Sequence, residues 1–242
     1  MEELSLGRLD RLADRDGFLV AYPDGVDHGW NDGAADSSNQ NHDVDDEGFL
    51  VALVDSIAGR YSVDRARVFA TGMSNGGFMA ARLACARSDV FAAFASVAAG
   101  LRTPGCAPSR AVSMLFVNGT EDPLVIYDGT EVRFGRRVLS SKLTTAAAVD
   151  LFAQRDGCSS PPSREPQPDR DTSDGTSVVI ERRDGCRDGA EVVLYRVDGG
   201  GHTWPGGHQY LGEGLIGRTS REFDASDVVW EFFRRHPLAQ PR

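Results

Sequence analysis

The chain has no apolar run approaching the ~20 residues needed to cross a bilayer. Its Met1-Glu2-Glu3 start carries neither a basic leader nor an apolar signal core. It also has no basic surplus, because 26 lysines and arginines stand against 36 aspartates and glutamates, a formal net charge of −10. Neutralising phosphates requires a basic face, so nucleic acid is not an expected partner, and neither is a membrane. No Cys-x-x-Cys pair occurs, which removes the common zinc and dithiol-redox patterns. What the chain does have is 242 residues, 40% of them hydrophobic, enough for one sizeable core; a single domain over 1–242 is expected rather than disorder.

Four cysteines are present: Cys85, Cys106, Cys158 and Cys186. Three disulfide connectivities are open to them. Neighbour pairing, Cys85 with Cys106 and Cys158 with Cys186, is favoured because each pair brackets a Gly/Pro-rich excursion; four reduced, buried thiols are the alternative. Two bridges imply an extracellular, oxidising setting, which the leaderless start does not explain.

Short apolar runs at 18–22, 68–71, 91–99 and 113–117 read as strands, and helical spacing appears at 47–59, 75–86, 140–154 and 225–235. Strands alternating with helices predict an α/β fold with a mostly parallel sheet covered by helices on both faces. Residues 26–47 lack periodicity and read as a long loop. Residues 159–176, rich in Pro, Ser and Asp, read as an exposed excursion, followed by β-like segments at 177–181 and 191–197.

Gly72-Met73-Ser74-Asn75-Gly76 fits Gly-x-Ser-x-Gly between a predicted strand and a predicted helix. On its own the pentapeptide is a weak signal, and an inert serine in a glycine-rich turn is its plain alternative. In strand–turn–helix context it offers Ser74 Oγ as a nucleophile, with the Asn75 N–H at the helix start facing a developing oxyanion. A hydroxyl needs a base, and the base needs an orienting carboxylate. His202, within the glycine run 199–207, is the candidate base, whereas His28, His42, His208 and His236 read as solvent-exposed. Asp122 is the candidate acid, since Pro123 fixes the local chain direction and the order Ser, Asp, His is that of α/β-hydrolases. Glu121 and Asp128 are its rivals, and an Asx-turn is its structural alternative.

The acidic run 42–47 has no second ligand cluster and reads as a solvated helix start; 169–175 misses the EF-hand register. Neither a metal nor a cofactor is expected. Trp30 and Trp204 are candidates for a substrate-binding wall, or equally for packing.

Together, residues 17–25, Trp30-Asn31-Asp32, 45–50, 71–78, 118–122 and 199–207 resemble the secreted polyhydroxybutyrate depolymerase and feruloyl esterase group of α/β-hydrolases. The resemblance spans nearly the whole chain, with a small departure at Ile126, where relatives carry proline. It implies a serine esterase with Ser74 as nucleophile, His202 as base then acid, Asp122 as its partner, neighbour-paired disulfides and an ester substrate, polymeric or oligomeric. It further implies that a signal peptide, early strands and a second oxyanion loop precede the segment at 1–13, so a truncated chain with a hole in mid-sheet is expected. Three readings follow: an esterase on hydroxyalkanoate, feruloyl or acetyl-xylan esters, a non-catalytic remnant that needs a partner strand, or a glycan-binding module using Trp30 and Trp204.

Overall fold

A computed structural model of the chain describes residues 8–34, 43–102, 105–159 and 161–238. The expected loop histidine His42 and the start of the segment at 1–13 lie outside the described residues.

Eight strands form: β1 (Phe69–Met73), β2 (Ala93–Val97), β3 (Ser113–Gly119), β4 (Glu131–Phe134), β5 (Arg137–Ser141), β6 (Ser163–Pro166), β7 (Ser177–Arg183) and β8 (Val192–Asp198). The helices are α1 (Leu9–Asp16), α2 (Asp46–Ala58), α3 (Asn75–Ala86), α4 (Thr145–Asp156), the single turn α5 (Glu213–Ile216) and α6 (Ala225–Arg235). The main sheet runs β1-β2-β3-β8-β7-β6 and β4-β5 is a separate hairpin. β1, β2, β3 and β8 are parallel, whereas β7 and β6 join antiparallel.

Every residue of β2 and β3 is buried, as expected where helices cover both faces. The period of two divides their side chains between two layers. Phe94, Met114 and Phe116 pack with Leu83 of α3 and Phe152 of α4. Ala95, Leu115 and Val117 pack with Val229, Phe232 and Phe233 of α6. Both disulfides have the neighbour pairing, Cys85–Cys106 and Cys158–Cys186. Among the described residues no helix is long and apolar enough to cross a membrane.

Five expectations are corrected. Residues 18–22 form neither strand nor helix and pair with no strand among the described residues. Phe18 stacks on Trp230 at 3.9 Å between ring centroids, while Leu19 and Tyr22 stay exposed. A strand exists only through its neighbour, and among the described residues the sheet ends at β1 instead of spanning a gap. The helix expected from 140 starts at Thr145, because the Thr144 hydroxyl caps it by accepting from the Ala147 N–H and residues 137–141 pair as β5. The excursion at 159–176 contains β6, a short exposed edge strand ending at Pro166. His236, expected in solvent, is half-buried, with Nε2 3.3 Å from Glu191 and Nδ1 2.7 Å from the Phe232 carbonyl oxygen.

The last residue of α4, Asp156, is buried; its Oδ2 accepts from the Val112 N–H at 3.1 Å while its Oδ1 has no partner. Burial raises its carboxyl from 3.8 to about 6, against the pull of the Val112 N–H. The folded state therefore holds a proton that the unfolded chain releases between about pH 4 and 6. Stability from this group is complete below pH 4 and lost as pH rises through 6. Urea unfolding of Asp156→Asn, which cannot ionise, is expected to gain on the wild type by up to about 3 kcal/mol between pH 4 and pH 7. A constant difference across that range counts against the assignment.

Candidate active site

The parallel strands deliver their C-terminal loops to one edge of the sheet, and the candidate residues lie there. β1 leads straight into Ser74, and α3 begins at the next residue. Ser74 has φ 55° and ψ −122°, a conformation that L-residues adopt only when their surroundings hold them. The Ser74 N–H donates to the Val97 carbonyl at 2.9 Å, and its carbonyl accepts the Phe78 N–H at 2.9 Å. A Cβ at position 72 would lie 2.5 Å from the Gly76 backbone, so the turn closes only with glycine there. The first glycine of the motif thus has a steric reason, whereas a Cβ on Gly76 would meet nothing within 4 Å.

Asp122 follows β3 and His202 follows β8. His202 Nδ1 stands 2.8 Å from Asp122 Oδ2, with both side chains buried. The other carboxylate oxygen, Oδ1, accepts from the N–H groups of Leu124 and Val125, both at 2.8 Å. Asp122 is therefore an Asx-turn residue and the histidine's partner at once, whereas Glu121 and Asp128 are exposed. The ring and the carboxylate meet because β3 and β8 converge beyond their ends. Thr120 N–H donates to Val197 and Glu121 N–H to Gly200, each at 2.9 Å, and a Cβ on Gly119 would fall 2.2 Å from the Gly200 oxygen.

The structure joins His202 to Asp122 and puts Ser74 on the same sheet edge. Among the described residues the Ser74 hydroxyl forms no hydrogen bond, to the His202 ring included. Such contacts are commonly long before substrate arrives. Trp204 is buried in the α6 layer, its indole N–H donating to Ser226 Oγ at 3.1 Å. Trp30 is half-buried, stacked on Phe49 at 6.3 Å. His28 and His208 are exposed. No group of three or more potential metal ligands occurs among the described residues.

Tyr210, Lys142 and Arg102, neighbours of this edge, carry no sequence signal, whereas Asn75 lies in the serine motif and Asp32 in the Trp30-Asn31-Asp32 segment. The Tyr210 hydroxyl donates to the His202 carbonyl at 2.9 Å, and its phenol is pushed up to about 12 by burial and then by Asp122. Lys142 is buried, its ammonium donating to the carbonyls of Gly129 and Leu143 at 2.9 Å each. Burial lowers it to about 8, against the attraction of Asp122. Asp32, Asn75 and Arg102 form a buried polar cluster beside Ser74. Each joins residues far apart in the chain, and no local pattern marks such pairs.

The family profile described as Esterase PHB depolymerase matches residues 4–134. The protein named "Putative esterase NocK" of Nocardia uniformis subsp. tsuyamanensis is 34% identical over 233 residues, covering 93% of this chain and 67% of its own length. Feruloyl esterase B of Piromyces equi is 29% identical over 205 residues, with 80% of this chain and 35% of that protein covered. Among solved structures, the acetyl xylan esterase from Aspergillus awamori superposes with a TM-score of 0.53 at 16% identity, covering 81% of this chain and 77% of the other. That likeness concerns the fold.

The Gly119–Gly200 approach is directly testable. Gly119→Ala should destabilise the fold by about 2–4 kcal/mol, since the Gly200 and Gly201 backbone atoms just past β8 cannot yield as a side chain could. In NMR spectra, the low-field imidazole N–H resonance of a short His–carboxylate contact should be present in the wild type and lost in Asp122→Ala. Survival of that resonance in Asp122→Ala would show that the ring is held by something else.

Proposed function

The chain belongs to the Esterase PHB depolymerase family, and from that premise we propose that it hydrolyses carboxylic esters through an acyl-enzyme, with Ser74, His202 and Asp122 as its triad. The observation that carries this reading is the strained serine at a strand-to-helix turn on the sheet edge that also bears the buried His202–Asp122 pair.

An ionised Asp122 can only accept, so His202 Nδ1 carries a proton and Nε2 presents its lone pair. As Ser74 Oγ attacks the ester carbonyl carbon, its proton passes to Nε2, and Asp122 stabilises the imidazolium that results. The carbonyl oxygen becomes an oxyanion, which the Asn75 N–H stabilises at the positive end of α3. Collapse of the tetrahedral adduct expels the alcohol, which takes the proton from Nε2 and leaves an acyl group on Ser74. Water then repeats the sequence, with His202 again first base and then acid, releasing the carboxylic acid.

For the acyl group, the family name supports hydroxybutyrate oligomers or a related polyester. Relatives named feruloyl esterase supply the specific reason for a second reading, aryl esters of cell-wall polysaccharide. Two disulfides support an extracellular, oxidising setting.

Hydrolysis of a short p-nitrophenyl ester by the wild type should exceed that by Ser74→Ala by at least about 10⁴-fold in kcat. Equal rates for the two would instead favour a chain without catalysis. Comparing kcat/KM on hydroxybutyrate trimer, methyl ferulate and acetylated xylan then selects the acyl group.

A further inference from the structure

Asn75, the first residue of α3, turns its side chain back toward the segment at 30–32. The amide oxygen accepts from the Trp30 N–H at 2.7 Å, and Nδ2 donates to the Trp30 carbonyl at 3.0 Å and to Asp32 Oδ2 at 2.9 Å. Asp32 is 2% exposed. Oδ1 accepts from the Ala34 N–H at 3.1 Å, and Oδ2 also accepts from Arg102 Nη2 at 2.8 Å. Arg102, likewise buried, donates from Nη1 to Ser140 Oγ at 2.7 Å and to the Ser141 carbonyl at 3.1 Å. Its guanidinium lies 3.6 Å above the ring of Phe78, the residue whose N–H closes the first helical turn on Ser74.

The first turn of α3 is therefore gripped at two points, Asn75 by Asp32 and Phe78 by Arg102. Burying an ion pair gains little stability over well-packed apolar side chains, so stability alone does not account for this arrangement. Its geometric result is that the peptide after Ser74 has little freedom to turn. Its electrostatic result is that a carboxylate buried near a developing oxyanion is balanced by an equally buried cation.

We propose that Asp32, charge-balanced by Arg102, is a positioning residue that acts through the Asn75 side chain to hold the Asn75 N–H in its oxyanion-binding direction. This rests on the reading of Ser74 as nucleophile and of the Asn75 N–H as oxyanion donor. Misdirecting a donor weakens transition-state binding and leaves ground-state ester binding intact, so the loss belongs in kcat.

The test uses the full chain and its variants Asp32→Ala, Asp32→Asn, Asn75→Ala and Asp32→Ala/Asn75→Ala. Active sites are titrated with a p-nitrophenyl phosphonate, and each protein is assayed on a p-nitrophenyl ester well below its own melting temperature. Asp32→Ala and Asn75→Ala should each lose roughly 10- to 100-fold in kcat per titrated site, with KM within about threefold of wild type. Because Asp32 acts through Asn75, the double variant should be no slower than the slower single one. Should Asp32→Ala not fold, Asp32→Asn, which keeps the side-chain shape, carries the same comparison. Melting temperatures that fall while kcat per titrated site stays at the wild-type value would reduce Asp32 to a structural role and overturn the proposal. Additive losses in the double variant would overturn it equally. A wild type without Ser74-dependent turnover would instead overturn the esterase reading, and this inference with it.

Discussion

The close approach of two backbones at Gly119 and Gly200 is the constraint on which the candidate site depends. β3 and β8 are neighbours in a parallel ladder, but a ladder only brings strands to within about 4.8 Å of each other. The loops beyond must also converge, and they can because Gly119 presents no Cβ to the Gly200 and Gly201 backbone, while a Cβ on Gly200 would meet Val197 of β8, the strand it follows. The bonds from Thr120 and Glu121 to Val197 and Gly200 then carry the pairing past the strand ends. Asp122 is the next residue and His202 lies two beyond Gly200, so the 2.8 Å contact between side chains 80 residues apart follows from the backbone geometry.

Ser74 is held differently. Its strand, β1, is the parallel edge of the sheet, all five of its residues are half-buried, and none of them is charged. The opposite edge, β6, has the usual protections of a short, exposed strand with charged residues and a terminal proline. The turn after β1 therefore draws its rigidity from β2 on one side, through the Ser74–Val97 bond, and from α3, whose first turn is fastened by side chains of the loops at 30–34 and 102. A left-handed serine stores strain, and strain persists only where such contacts outweigh it.

What was legible in the sequence follows from which forces are local. The bounds of α6 read as 225–235 in both sequence and structure, because a capping Asp224, an amphipathic stripe and a following proline act within a few residues of one another. The elbow was legible for the same reason, since glycine spacing and flanking periodicity are adjacent. Residues 18–22 have strand composition and no strand, because pairing depends on a neighbour that composition does not describe. The hairpin β4–β5 went unread, because Glu131-Val132-Arg133-Phe134 alternates over only four residues and Arg137-Val138-Leu139-Ser140-Ser141 does not alternate. Pro123 and the order Ser, Asp, His favour Asp122 over Glu121 in the sequence, whereas the burial that separates the two has no local signature, and the link from Asp32 to Arg102 spans 70 residues.

The electrostatics of the rim also follow from burial. A chain with a formal charge of −10 keeps most of its carboxylates in water, where they need no partner. Asp32 and Asp122, both buried, are treated otherwise. Asp32 has the guanidinium of Arg102, and Asp122 has two backbone N–H donors, the His202 ring and the attraction of Lys142. Lys142 in turn gives its protons to two carbonyls, including that of Gly129, a residue of the hairpin approach tied to the Asp122 loop through the Arg133–Leu124 backbone bond. With Ser74 read as the nucleophile, a negative charge developing on an ester there meets Asp32 and Asp122 already balanced. In a low-dielectric site that balance matters more than the net charge of the whole chain, whose outer carboxylates are screened by salt over about 8–10 Å.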